Sequence, residues 1–276
     1  MIYSTHTRIC VRTYARYMKV CCDYHLHTFA SDGRCSILSH AKKADLLGLE
    51  QIAITDHSFS SAIFHLTERK WKKQKEQLER LGCKAKVLHG VESNLVNTSG
   101  EIDVPCDVIR DSDVLIVGFH RYIGFCGEHR GGYARKWLFE NGFCPKKTRQ
   151  KLVEVNTRAY LESMDKFPID VIAHLNHRAL VDVKRVCDKA KERDVYIELN
   201  EKHLDAIEKY ADDLVQSGVN FVLGSDAHDA KKTGEFEKAK AFIKAHGIPI
   251  ERVFGIDGRT ATFKDKTKWR ENENDI

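Results

Sequence analysis

The stretch Asp23-Tyr24-His25-Leu26-His27-Thr28-Phe29-Ala30-Ser31-Asp32-Gly33 decides how the rest of the chain is read. If residues 19–27 are extended, side chains alternate between faces, so His25 and His27 point one way and Tyr24 and Leu26 the other. Two imidazoles then converge at the downstream end of an apolar run containing Val20, Cys21 and Cys22, where Ser31-Asp32-Gly33 turns the chain into a loop. The C-terminal ends of strands are where α/β barrels keep their reacting groups.

An isolated His-x-His is more often a surface or core-edge pair than a pair of ligands. Here the pattern recurs: Thr55-Asp56-His57, Gly90-Val91-Glu92, Gly118-Phe119-His120, Ile172-Ala173-His174 and Gly224-Ser225-Asp226-Ala227-His228 each close an apolar run. Accident does not account for that repetition.

Between these ends the chain alternates strands and helices. Residues 36–47 read as a helix with Ser36 as N-cap and Gly48 as its stop. Residues 51–55 form a strand, and 60–81 a heavily charged helical segment closed by Gly82. In strand 85–92, Leu88, Gly90 and Glu92 share a face, which sets His89 apart as a packed histidine. Asn94 falls on the Glu92 side and is expected to orient that carboxylate.

Residues 114–120 form a buried strand, and 121–145 a glycine-rich, aromatic loop expected to cover the barrel mouth. After a helix at 147–164 the rhythm is regular: strand 170–173, helix 182–193, strand 195–199, helix 204–217, strand 220–223, helix 235–245. Strands alternating with helices of this length imply parallel pairing through right-handed crossovers. Glu198 and Asn200 share one face of their strand and are expected to line the cavity. Residues 264–276 read as a charged, frayed tail.

The 276 residues are enough for one such domain, and no repeat or proline-rich linker divides them. The 45 basic and 40 acidic residues give +5, spread along the chain, which permits an anionic ligand without calling for nucleic acid. Nine cysteines, an odd number without a C-x-x-C pair, fit free thiols in a reducing cytoplasmic setting, and no apolar run approaches the ~20 residues of a membrane span. Residues 1–17, with Arg8, Arg12 and Arg16, faintly resemble an organelle presequence, but read more simply as a dispensable extension ahead of Met18.

The motifs resemble those of the polymerase and histidinol phosphatase (PHP) superfamily over residues 18–257. That resemblance implies an α/β fold, a distorted seven-stranded (β/α)7 TIM-like barrel in a single domain, with 258–276 as a tail. It also implies a trinuclear metal centre held by His25, His27, Asp32, His57, Glu92, His120, His174, Asp226 and His228. One ion would take His25, His27, Glu92 and Asp226; a second Glu92, His120 and His174; the third Asp32, His57 and His228. Members that act on histidinol phosphate often have a histidine in the loop where this chain has Ser31-Asp32-Gly33, and the glycine-rich segment after His120 also departs from them.

Imidazoles and carboxylates in this mixture suit three divalent ions of Zn, Mn or Fe better than Mg, which prefers all-oxygen octahedra. The expected reaction is hydrolysis of a small phosphorylated metabolite by a metal-bridged hydroxide. Arg121, Arg130 and Arg178 are expected to bind substrate, His177 to protonate the leaving group, and Asp56 to fix a neighbouring histidine's tautomer. A phosphodiesterase or nuclease is the alternative chemistry from the same site, disfavoured by the lack of a basic stripe. A non-catalytic metal-binding barrel is the alternative from another class.

Overall fold

The apolar runs form one sheet whose parallel strands follow chain order. They are β1 (Cys22–Leu26), β2 (Gln51–His57), β3 (Lys86–Asn94), β4 (Val114–Gly118), β5 (Val171–Ile172), β6 (Tyr196–Asn200), β7 (Phe221–Gly224) and β8 (Val253–Phe254). The computed structural model describes residues 18–60, 64–120, 141 and 149–270. Helices α1 (Ile37–Leu47), α2 (Glu68–Glu79), α3 (Cys106–Asp111), α4 (Arg149–Lys166), α5 (Val183–Glu192), α6 (Ala211–Ser217) and α7 (Glu237–His246) lie between the strands.

Local chemistry sets several helix ends. The Ser36 side chain accepts the Ser39 N–H to start α1, and Gly48 ends it at φ 67°, a conformation that costs a residue with a Cβ. Thr67 and Asp182 cap α2 and α5 in the same way. The expected helix at 60–81 therefore begins only at Glu68. The expected helix at 204–217 is also shorter: two 3₁₀ turns, Leu204–Ala206 and Glu208–Tyr210, precede α6.

The barrel has an eighth strand where seven were expected. At the mouth β7 meets β1 directly: the His27 N–H donates to the Ala227 carbonyl at 3.0 Å, and the Ala227 N–H to the His25 carbonyl at 3.3 Å. At the foot the two strands are apart, and β8 fills the space. It pairs with β7 at Phe221–Val253, while the Cys21 N–H donates to the Gly255 carbonyl at 2.8 Å. A two-residue strand has too little hydropathy pattern to be read from sequence.

Strand β1 also breaks strict alternation. Its register with β2 slips between Asp23 and Leu26, so β1 carries one residue more than its partner there. Such a bulge re-aims a side chain. Tyr24 packs in the same apolar cluster as Leu88, Ile116 and Val222, yet His25 also reaches Glu92, which lies on the Leu88 face of β3. Tyr24 and His25 thus both face the lumen, against the expectation that they point apart. Outside the strands, Leu26, Ile52 and Ile54 pack under Ile37 and Ala44 of α1; burying each large aliphatic chain contributes about 1.5–3 kcal/mol.

The expectation of a frayed tail fails through residue 270. The Ala261 N–H donates to the Tyr24 hydroxyl at 2.7 Å and the Lys264 N–H to Asp170 at 2.8 Å. Lys266 is fully buried across the barrel foot, where its Nζ lies 2.7 Å from Asp170 Oδ2 and donates to the carbonyls of Asp113 and Lys264. Charge density suggested a solvated tail; pairing with a buried carboxylate decided otherwise. Among the described residues no helix is long and apolar enough to cross a membrane.

Candidate metal centre

Glu92 stands at the centre of the mouth, buried to 1% exposure near the end of β3. Its Oε1 lies 2.9 Å from His174 Nε2 and 3.3 Å from His120 Nε2. Its Oε2 lies 2.8 Å from His57 Nδ1, 3.4 Å from His25 Nε2 and 3.6 Å from His27 Nε2. Despite this crowd, Oε2 has no hydrogen bond among the described residues. The imidazoles thus meet Oε2 as ion pairs without an aligned N–H, and a buried carboxylate oxygen that lacks a hydrogen bond costs free energy.

Around Glu92 the remaining candidates close in. His27 Nε2 is 3.0 Å from His25 Nε2 and 3.5 Å from Asp226 Oδ1. Asp32 Oδ2 is 3.1 Å from His228 Nε2 and 3.6 Å from His57 Nε2. Three sets bring their ligand atoms within 4.8 Å of one another: His27 with Asp32, His57 and His228; His25 with His27 and Asp226; His57 with Glu92 and His120. His174 joins through Glu92. All nine residues singled out in the sequence meet, although His57 sits nearer Glu92 than the resemblance alone implied.

Neighbours fix which nitrogen each ring offers. His25 Nδ1 lies 2.7 Å from Glu198 Oε1, and the other oxygen of Glu198 accepts the His174 N–H at 2.7 Å. His120 Nδ1 lies 2.5 Å from Asn94 Oδ1. In both rings an Nδ1–H donated outward leaves the Nε2 lone pair facing the centre, as metal-ligating imidazoles require. Glycines make the room: a Cβ at Gly224 would stand 1.8 Å from Glu198 Oε1, and one at Gly118 2.6 Å from His174 Cε1.

Charges in this crowd shift strongly. Burial pulls the His57 imidazole down, but Glu92 and Asp32 outweigh it and hold its pKa at about 10. Burial likewise opposes His25, and Glu92 with Glu198 raises it well above the usual value. Burial raises Glu92, yet His120, His25 and His57 hold it well below the carboxylate range. His27 falls to about 4 through burial and the neighbouring imidazoles of His57 and His228. Imidazole protons thus offset the carboxylates, the task a bound cation would take over with proton release.

These observations fit divalent ions: a buried orphan carboxylate oxygen, ring nitrogens facing one another at 3.0 Å, and tautomers set from outside. Among the described residues no cysteine belongs to a ligand set, and Cys21, Cys22, Cys35, Cys83, Cys106 and Cys187 are free thiols.

Several supporting roles differ from expectation. Asp56 accepts from the Thr28 and Ser31 backbone N–H groups, both their hydroxyls and Gln74, so it anchors the loop after β1 rather than a histidine. Adjacent to His57 on β2, it points to the opposite face. Asn94 holds His120 rather than Glu92, and is itself held by Asp103 at 2.7 Å. Asp103 also accepts from Ser58, Ser60 and Ser93. No motif marked Asp103, because its importance lies entirely in what the fold brings to it.

The open side of the centre is a cleft of about 250 Å³ lined by His57, Glu92, His174, His177, Arg178 and Lys202 among others. His177 stacks on His203 with centroids 3.7 Å apart, and its Nε2 accepts the Arg178 Nε–H at 2.8 Å. Burial, then the positive fields of His203, His174 and Arg178, hold His177 at about 3. That is not the environment of a proton donor at neutral pH. Arg178 lies where a substrate-binding cation was expected; Arg121 and Arg130 lie outside the described residues. Lys202 and His203 carried no signal in sequence beyond following Asn200.

Comparison with known proteins agrees with this geometry. A probable phosphatase of Shewanella frigidimarina is 30% identical over 250 residues, covering 86% of this chain and 89% of its own. One of Clostridium novyi is 27% identical over 261 residues, covering 91% and 96%. Histidinol phosphate phosphatase of Lactococcus lactis, solved with Zn, L-histidinol and phosphate, has a TM-score of 0.59 at 19% identity, covering 90% of this chain and 98% of its own, a likeness of fold. The PHP domain family matches residues 23–247. The chain, a nearly closed parallel barrel with these side chains at its mouth, belongs to the PHP domain family.

Proposed function

We propose that the protein is a metal-dependent phosphatase that hydrolyses small organic phosphate monoesters. The observation that carries this reading is Glu92 Oε2, a buried carboxylate oxygen ringed by imidazoles and hydrogen-bonded to none of them. The relatives named as probable phosphatases support it.

In this reading three divalent ions of the Zn, Mn or Fe type are held by His25, His27, Asp32, His57, Glu92, His120, His174, Asp226 and His228. When bound, they supply a water acidified toward a pKa of about 7 and a positive field for phosphoryl oxygens. The chain's own part is positioning. Glu198 and Asn94 accept the outward protons of His25 and His120 and so keep both Nε2 lone pairs turned inward. Asp56 pins residues 28–31, which fixes Asp32 at the rim. Arg178 stands in the cleft wall to meet the charge of the substrate, and a neutral His177, accepting from it, sets its direction.

The test is reconstitution of the purified chain with Mn or Zn, followed by phosphate release from a panel of monoesters beside shortening of a labelled single strand. Phosphate release abolished by chelator, with the strand untouched, is expected. Strand shortening without phosphate release would replace the reading with a nuclease. Metal analysis is expected to give three ions per chain, and a saturating value of one or two would reject the trinuclear assignment.

A further inference from the structure

Lys202 lies on the turn after β6, with its side chain 41% exposed in the cleft. Its ammonium is parked on two residues of the proposed ligand set: Nζ is 3.0 Å from Asp226 Oδ1 and 3.1 Å from His228 Nδ1. We propose that Lys202 is a phosphate-holding residue, whose ammonium transfers from Asp226 and His228 to the phosphoryl oxygens of the substrate. This rests on the phosphatase reading above.

The argument starts from His228. Among the described residues its Nδ1 meets Lys202 Nζ on one side and two Asp226 oxygens on the other, the carbonyl at 2.9 Å and Oδ1 at 3.3 Å, and ammonium and oxygens make opposite demands. An ammonium N–H needs the Nδ1 lone pair, whereas a carbonyl needs an Nδ1–H. For His228 Nε2, which faces Asp32, to offer its own lone pair to an ion, the proton must be on Nδ1. Nδ1 then donates to the carbonyl, and Lys202 loses that acceptor. Asp226 Oδ1, its other partner, faces His27 Nε2 at 3.5 Å and belongs to the same ion-binding group.

Filling the centre therefore frees a cation in the wall of the cleft that opens onto it. The side chain can move while its base cannot. The Lys202 N–H donates to Asn200 Oδ1 at 3.0 Å, and the Glu201 N–H to the Gly224 carbonyl at 3.0 Å. The Glu201 carboxylate accepts the N–H groups of Lys238 and Ala239 at the start of α7. A lysine is suited to the task, being a compact point charge with rotatable donors on a flexible stem.

The test uses the metal-loaded full chain, with Lys202→Met and Lys202→Arg beside it. Affinity for inorganic phosphate is measured by calorimetry, KM and kcat on an aryl phosphate, and metal content by mass spectrometry. For Lys202→Met, phosphate binding is expected to weaken about tenfold to a hundredfold, the range for losing one charge-assisted hydrogen bond, with KM rising in parallel. Metal content stays at the wild-type level, and Lys202→Arg recovers much of the affinity. Unchanged phosphate affinity in Lys202→Met overturns the proposal, as does loss of metal in that variant. If the wild type hydrolyses no ester while Lys202→Met still loses phosphate affinity, the phosphatase reading falls and the phosphate-holding role stands.

Discussion

The two ends of the barrel treat buried charge in opposite ways. At the foot, Asp170 is closed off by Lys266, by the N–H groups of Leu115 and Lys264, and by the tail that carries both lysines. At the mouth, Glu92 is as deeply buried but, among the described residues, has an oxygen with no hydrogen bond, surrounded by imidazole rings of the proposed ligand set. A carboxylate completed by its own chain stabilises the fold; one left incomplete in the same chain awaits something from outside. Asp103 and Asp56, each filled by neutral donors, belong with the foot in this respect although they lie beside the mouth.

The contrast breaks most directly at Glu92. Glu92→Gln is expected to strip the centre of ions on dialysis and to cut phosphate release by well over the roughly 10- to 100-fold that loss of a ligand's supporting partner costs. Full metal content and activity in that variant would make Glu92 one more structural carboxylate. Lys266→Met leaves Asp170 buried without its partner charge, and urea denaturation is expected to show a loss of about 3–5 kcal/mol with metal content unchanged. Recovery of much of that loss on adding Asp170→Asn would show that the unpaired charge, rather than lost packing, is responsible.

A third measurement separates packed from ligating histidines. His89 stacks on Trp71 with centroids 3.6 Å apart, and burial holds its pKa at about 4. Below the ordinary 6.5 the unfolded chain takes up a proton that the folded one refuses. The stabilisation is therefore fully present above pH 6.5 and is lost as pH falls to about 4, a change of about 3 kcal/mol. His89→Gln is expected to remove that part of the acid slope without altering metal content. The smallest effect is expected from Asp103→Asn, which loosens Asn94 and through it His120. Metal affinity should drop about tenfold, the low end for such supporting contacts, and an unchanged affinity would separate Asp103 from the centre.

Much of the mouth was legible from residues alone, because ligand chemistry needs particular side chains and a strand end puts them in one place. The ends of β1, β2, β3, β4, β5 and β7 each carried their imidazole or carboxylate in plain view. The supporting cast was not legible in the same way. Asp103 gathers Ser58 and Ser60 from after β2 and Ser93 and Asn94 from the end of β3, and Lys202 gains meaning only from its nearness to Asp226 and His228.

The sequence by itself determined the alternating parallel architecture and the residues that converge, since periodicity and ligand type are local properties. Tertiary structure alone decided that β1 bulges so that Tyr24 and His25 share the lumen, that an eighth short strand fills the foot, and that a charged tail docks there. Each of these depends on a partner distant in the chain: β2 for the bulge, β7 for β8, and Asp170 for Lys266. Pairing energy between distant segments leaves no local pattern, so only the folded chain reveals it.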